Sequence, residues 1–293
     1  MPQKTAFERG VRIDMRDGPE RMFLPVTTVA EAVAARAAGA AVLAGGTWMM
    51  RDPRRGVSLP ETVVALSKIA ELQSVDVLDD RVSIGVSVTH AALAKALGGL
   101  AGLEGLAAAA VGAANPAIRR VATVGGNLCA TDFAAADLVP ALLALEAEVE
   151  LALADGSRIL PLSTFLEERA LLLRTALLTR VVVPRIATAS AHVRLPLRKA
   201  GDYPVAIVSV ARSADGAVRI AVGSVEPVAR RWTALETALA GKAVTPEEAK
   251  ALAEKTNDFI GRDGIETEGW YRREVLPALV RRAFAALAKG SAA

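Results

Sequence analysis

The sequence is poor in the side chains on which many active sites depend. Its 293 residues include one cysteine, Cys129, and two histidines, His90 and His192. A single cysteine forms neither an internal disulfide nor a cysteine-based zinc site, and so few histidines argue against an intrinsic metalloenzyme. A catalytic Ser-His or Cys-His pair would have to use one of these two histidines.

Aromatic rings, net charge and long apolar runs are scarce as well. Aromatic residues make up 4% of the chain, and 35 Lys and Arg face 32 Asp and Glu, a net charge of +3. Because the cations are interleaved with acids and few rings are present to stack on bases, we expect no nucleic-acid binding. No apolar run reaches ~18 residues without a charge, so we expect no membrane span and a cytoplasmic protein.

The length of the chain predicts two domains, or one elaborate domain. Residues 1–20 form a charged arm, residues 21–186 mix helices and strands, and the polar stretch 185–191 marks a boundary. Residues 191–290 then change texture to a three-stranded meander followed by helices. Helix N-caps are predicted from the position of a threonine before each helix, and they fall at Thr28 (with Glu31 in capping-box spacing), Thr89 and Thr245.

Two glycine pairs are the first features that point to chemistry. They lie in Leu43-Ala44-Gly45-Gly46-Thr47 and Thr123-Val124-Gly125-Gly126-Asn127. Glycine lets backbone N–H groups approach an anion closely, and the short polar side chains add donors. Two such loops could clamp one pyrophosphate from both sides. Neither matches the doubly wound dinucleotide fingerprint or the Walker-type loop, and on spacing alone ordinary turns remain an alternative.

Four runs of the sequence resemble, in the right order, the flavoprotein (medium) subunits of molybdenum hydroxylases of the carbon monoxide dehydrogenase and xanthine dehydrogenase type. The similarity extends from about Met22 to Phe284. The four runs are Ala44-Gly45-Gly46-Thr47-Trp48-Met49, Ile118-Arg119-Arg120-Val121-Ala122-Thr123-Val124-Gly125-Gly126-Asn127-Leu128, Asp137-Leu138-Val139-Pro140-Ala141-Leu142-Leu143 and Arg198-Lys199-Ala200-Gly201-Asp202-Tyr203.

This resemblance implies a fold and a cofactor. The fold is α+β, a vanillyl-alcohol-oxidase-type (PCMH-type) FAD-binding domain of two subdomains, followed by a C-terminal domain with a three-stranded antiparallel sheet and helices. The cofactor is FAD, held without a covalent bond. The implied contacts are Val42, Leu43, Ala44, Gly45, Gly46, Thr47, Trp48, Met49, Thr123, Val124, Gly125, Gly126, Asn127, Asp137, Arg194 and Tyr203.

Several of these assignments have rivals. One residue more than the commonest family spacing separates Asn127 from Asp137, so Asp132 competes for the aspartate's role. Trp48 stands where the family often has an acidic or polar residue. A lysine that the family has near the flavin ring has no clean counterpart here. In a gapless alignment Arg194 is the cation nearest to its position.

For other residues the alternative to a functional role is a purely structural one. Tyr203 lies against the flavin ring or packs at the domain junction. Cys129 tethers FAD or, more commonly, is a small core residue. We expect His90 at the surface or satisfied in the core, and we assign no role to His192. The arginine pair Arg272-Arg273 is expected on a solvated or subunit-facing surface.

The resemblance also implies a division of labour among subunits. A large molybdenum-cofactor subunit would oxidise the organic substrate, and a small subunit with two [2Fe-2S] clusters would carry electrons to this chain. FAD would pass them to NAD, a quinone, a carrier protein or dioxygen, in a heterotrimer or a dimer of heterotrimers. The alternatives are a stand-alone FAD reductase similar to UDP-N-acetylenolpyruvoylglucosamine reductase, for which no matching motif follows the second loop, and a flavin-free assembly scaffold.

Overall fold

The computed structural model describes residues 10–13, 20–197, 203–264 and 267–290. Most of the predicted arm, residues 1–20, lies outside these ranges, and so do residues 198–202 of the fourth family run. None of the described helices has both the length and the apolar composition needed to cross a membrane.

The chain begins with a small mixed sheet that carries the first glycine loop. Its strands follow the order β1-β2-β4-β3, with β1 antiparallel to β2 and the other pairs parallel. The loop follows β3 and leads into a 3-10 helix, Met49–Arg55. The elements are β1 (Val11–Ile13), β2 (Arg21–Pro25), α1 (Val29–Ala37), β3 (Ala41–Leu43) and β4 (Thr62–Ala65).

A five-stranded antiparallel sheet with inserted helices follows. Its strand order is β5-β6-β9-β7-β8. The elements are β5 (Val75–Val77), β6 (Arg81–Gly85), α2 (His90–Leu97), α3 (Glu104–Gly112), α4 (Pro116–Arg119), α5 (Val124–Cys129), α6 (Leu138–Ala144), β7 (Glu148–Leu153), β8 (Gly156–Pro161), α7 (Leu162–Leu172) and β9 (Leu177–Pro184).

The last part of the chain is the predicted antiparallel meander with helices. A two-residue strand, β13, extends the three predicted strands to the order β10-β11-β12-β13. The elements are β10 (Ala187–Pro196), β11 (Pro204–Ser213), β12 (Val218–Gly223), β13 (Arg230–Arg231), α8 (Thr233–Leu239), α9 (Pro246–Thr256), α10 (Gly269–Glu274) and α11 (Leu276–Gly290).

The predicted helix caps are present. The hydroxyl of each predicted cap accepts a bond from a backbone N–H in the first turn of α1, α2 or α9. At Thr245 the capping box is complete, because the Glu248 carboxylate accepts from the cap's own N–H. At α1 the Glu31 carboxylate accepts instead from the N–H of Thr27, one residue before the cap.

A short connection and direct packing join the five-stranded sheet to the C-terminal sheet. Only Arg185 and Ile186 connect β9 to β10, so residues 187–191 of the predicted boundary already belong to a strand. Helix α3 packs on β10, and the Ser190 hydroxyl accepts a 2.8 Å bond from the Gly105 N–H. The domain limits 21–186 and 191–290 stay a prediction.

Arg272 corrects the expectation that its arginine pair is a surface feature. It is fully buried in the C-terminal part, where its guanidinium donates to the carbonyls of Arg262 (3.0 Å), Val205 (2.7 Å) and Ser224 (3.2 Å). Arg273, the next residue, is exposed as expected. The buried guanidinium therefore ties α10 to β11 and to the end of β12.

Replacing Arg272 by leucine should lower the free energy of unfolding by about 3 kcal/mol, because several buried carbonyls lose their donor. The matched control is Arg273→Leu, which should change it by less than about 0.5 kcal/mol because the side chain is exposed. Urea unfolding followed by circular dichroism measures both. Equal stabilities of the two variants would contradict the assignment.

Candidate functional site

The predicted site residues converge on one cleft of about 800 Å³. The cleft lies where the first glycine loop, the segment around α5 and the strand β10 meet. Every residue predicted to contact the cofactor lines it, with the exception of Val124. Val124 is fully buried in the hydrophobic core instead.

Both glycine segments are packed closely against neighbouring parts of the chain. A Cβ added to Gly45 would lie 1.9 Å from the carbonyl oxygen of Val121, and one added to Gly125 would lie 2.7 Å from the Cβ of Val86. Gly46 adopts a φ of +69°, which a residue with a side chain rarely takes. These glycines are therefore needed to build the cleft itself, a reason that the sequence analysis did not foresee.

The two segments differ in the donors that they leave available. Within the described ranges, the backbone N–H groups of residues 44–49 donate no hydrogen bond to another protein group. The second glycine pair is not a loop but the first turn of α5, and its N–H groups are all engaged within the protein. These bonds run from Val124 to Val88 O (2.9 Å), Gly125 to Val86 O (2.9 Å), Gly126 to Thr123 Oγ1 (3.1 Å) and Asn127 to Thr123 O (3.0 Å).

A buried ion pair forms the inner wall of the cleft. Asp137, the residue before α6, has a side chain that is 5% exposed, and its Oδ1 lies 3.0 Å from the Nε of Arg194 on β10. The Arg194 Nη1 also donates to the carbonyl of Gly112 at 2.9 Å. Asn127 has a structural task beside these residues, since its side-chain oxygen accepts from the N–H of Leu138 at 3.2 Å and so caps α6.

Asp132, the rival of Asp137, lies in a more exposed part of the cleft lining. Its carboxylate accepts from the indole N–H of Trp48 at 3.0 Å and from Arg55 at 3.0 Å. The side chain of Asp132 is 64% exposed, against 5% for Asp137. The two aspartates thus occupy different environments, and Asp137 is the one held inside the protein.

Trp48 belongs to an aromatic and cationic cluster that the sequence analysis missed. Its ring lies 4.5 Å from that of Phe133, which in turn lies 5.5 Å from the ring of Tyr203. The guanidinium of Arg51 lies 5.5 Å from the Trp48 ring and 5.4 Å from the Tyr203 ring, and that of Arg55 lies 4.2 Å from Trp48. The only sign of it in the sequence was the spacing between Asn127 and Asp137, which is one residue longer than the commonest family spacing.

His90 and Cys129 both line the cleft. Burial lowers the pKa of His90 to about 4, an effect that the charge of Asp137 only partly offsets, so its ring is neutral at pH 7. The ring interacts with the backbone of Thr123, although neither ring nitrogen completes a hydrogen bond of normal geometry among the described residues. Burial raises the pKa of the Cys129 thiol to about 12, which leaves little reactive thiolate at neutral pH.

Comparison with known proteins gives one consistent answer. The family described as the FAD binding domain in molybdopterin dehydrogenase matches residues 19–186. The medium subunit of nicotine 6-hydroxylase from Paenarthrobacter nicotinovorans is 29% identical over 250 residues, covering 82% of this chain and 87% of that protein. The carbon monoxide dehydrogenase medium chain of Hydrogenophaga pseudoflava is 30% identical over 223 residues, covering 73% of this chain and 77% of that protein.

A solved structure extends the match to the fold. Carbon monoxide dehydrogenase from Hydrogenophaga pseudoflava, in a form that lacks the Mo-pyranopterin moiety of the molybdenum cofactor, superposes with a TM-score of 0.84 at 28% identity, covering 92% of this chain and 97% of that chain. The predicted α+β fold class is confirmed. Because the family match spans more than half of the sequence, the chain belongs to the FAD-binding domains of molybdopterin dehydrogenases, the flavoprotein medium subunits of molybdenum hydroxylases.

Proposed function

We propose that this chain holds FAD in the cleft and relays electrons from the [2Fe-2S] clusters of a small partner subunit to an external acceptor. A large partner subunit carrying the molybdenum cofactor would oxidise the organic substrate. One observation carries the proposal: the run of N–H groups at residues 44–49 has no protein acceptor within the described part of the chain, and it lies in the lining of the large cleft. Such a run suits the pyrophosphate of a dinucleotide.

The residues present fit the cofactor. The first loop supplies backbone N–H donors that have no acceptor within the described part of the chain, and the buried ring of His90 adds a polar group to the same lining. Asp137 and Arg194 provide a charged pair that is shielded from water. Bound FAD supplies the redox chemistry, and the protein positions it and sets its surroundings.

The proposed contacts divide by chemistry. The backbone of the first loop binds the phosphates, and the side chains of Thr47, Thr123 and Asn127 add polar contacts. Asp137 and Arg194 contact the polar groups of the cofactor, and the Tyr203 ring lies against its aromatic part. The remaining proposed contacts are Val42, Leu43, Ala44, Trp48, Met49, Gly125 and Gly126.

The assembly and the acceptor are part of the proposal. Relatives named as a medium subunit, a medium chain and a subunit of a dehydrogenase complex support a multi-subunit enzyme. We infer a heterotrimer or a dimer of heterotrimers in the cytoplasm. The acceptor is NAD, a quinone, a carrier protein or dioxygen.

The direct test is reconstitution of the purified chain with FAD. After gel filtration the protein should retain flavin absorption bands, and the complex purified with its partners should show iron–sulfur absorption that bleaches on addition of substrate. A chain without flavin absorption after reconstitution would contradict the proposal. Reduction of a substrate by the isolated chain with a nicotinamide donor would favour the stand-alone reductase instead.

Gly46→Ala should weaken FAD binding at least about tenfold, because a side chain strains the left-handed backbone that orients the donors of the first loop. Gly39→Ala is the matched control: its φ of +92° imposes a similar strain, and a Cβ there meets nothing within 4 Å. Fluorescence titration gives the affinities. Both variants should lose about 1 kcal/mol of stability, and equal FAD affinities would count against the loop assignment.

FAD should be released completely when the holoprotein is precipitated with acid, since a thiol with a strongly raised pKa is a poor nucleophile for a flavin tether. Cys129→Ser should retain the flavin content of the unmodified chain. The measurement is flavin absorbance in the supernatant and in the pellet. Flavin that stays in the pellet of the unmodified chain, but not of Cys129→Ser, would show a covalent link.

A further inference from the structure

Directly behind the Asp137–Arg194 pair of the cleft wall lies a histidine to which the sequence analysis assigned no role. His192 lies on β10, two residues before Arg194, and its side chain is 2% exposed. Its Nε2 lies 3.5 Å from the Oδ1 of Asp137. Its Nδ1 lies 2.8 Å from the hydroxyl of Ser209, its cross-strand partner on β11.

The chemistry of these groups sets a direction for the contacts. An ionised carboxylate only accepts hydrogen bonds, so the histidine must present an N–H to Asp137 from Nε2. Nδ1 and the Ser209 hydroxyl share the second hydrogen bond of the ring, and the hydroxyl can serve it as donor or as acceptor. Ser209 is 1% exposed, so water does not compete for this bond. The Asp137 carboxylate and the Ser209 hydroxyl thus hold the His192 ring between them.

Asp137 is held from one side of the cleft by two side chains of the C-terminal sheet. Arg194 contributes the formal charge at 3.0 Å, and His192 contributes a donor at 3.5 Å. Neither Asp137 Oδ1 nor His192 Nε2 completes a hydrogen bond of normal geometry within the described part of the chain. A small rotation of the carboxylate would close this contact, and such catalytic or binding hydrogen bonds often tighten when a ligand arrives.

We propose that His192 is a positioning residue for the cofactor: it fixes the orientation of the Asp137 carboxylate, which contacts FAD, without touching FAD itself. This inference rests on the proposed function of the cleft. His192, Arg194 and Ser209 belong to the C-terminal sheet, whereas Asp137 precedes α6 in the preceding part of the chain. The affinity of the cleft thereby depends on a contact between the two parts.

A double-mutant cycle on the full-length chain separates positioning from mere structural support. FAD affinity is measured by fluorescence titration for the unmodified chain, His192→Leu, Asp137→Asn and the combination of both. His192→Leu should weaken FAD binding roughly tenfold, since the carboxylate loses one of its two partners. In the Asp137→Asn background the same change should have no further effect, because His192 acts only through the carboxylate.

Two further variants guard against a result that reflects misfolding. His192→Gln keeps an N–H donor and should restore affinity to within about threefold of the unmodified chain, whereas Ser209→Ala should cost about threefold by freeing the ring. Unfolding in urea is followed for each protein. If His192→Leu does not fold, the pair His192→Gln and Ser209→Ala decides the matter alone.

The outcomes are distinct. Additive effects of His192→Leu and Asp137→Asn, or His192→Gln as weak as His192→Leu, overturn the positioning role and leave the proposed function intact. Unchanged affinity in His192→Leu does the same. Failure of the unmodified chain to bind FAD overturns both proposals together.

Discussion

The cleft depends on one close contact, the backbone of Gly45 against the carbonyl of Val121. With 1.9 Å between that oxygen and a hypothetical Cβ, no other residue type fits unless the two segments move apart. The contact brings the loop after β3, in the first sheet, against the segment that precedes α5, in the second. The lining of the cleft is completed by residues of the C-terminal part, such as Arg194 on β10, so no one part of the chain forms the site alone. A residue without a side chain is here a packing requirement as much as a source of backbone freedom.

The two glycine segments look equivalent in the sequence but differ in the structure. The first glycine segment leaves its N–H groups available. The N–H groups of the second donate to Val86, Val88 and Thr123, and these bonds anchor α5. Asn127 in turn caps α6 and places Asp137 at the wall. Hydrogen-bonded segments therefore hold one set of groups in position, and the loop after β3 leaves its N–H groups available at the cleft. Preorganisation of this kind lowers the entropy cost of binding.

Features that depend on residues close together in the sequence were predicted correctly. The threonine caps at Thr28, Thr89 and Thr245 are present because each depends on residues a few positions apart. Helix α7 lacked such a signal, since Pro161 precedes it and no side chain caps it. The burial of Arg272, the ring cluster of Trp48, Phe133 and Tyr203, and the buried ring of His90 depend on residues far apart in the chain. Spacing along a sequence does not reveal these contacts.

The two-residue connection between β9 and β10 has a consequence for movement. With only Arg185 and Ile186 between two strands of different sheets, the C-terminal sheet has no tether long enough to swing away from the rest of the chain. Any relative movement of the two sheets must pivot about these two residues, because the sheets cannot separate at this point.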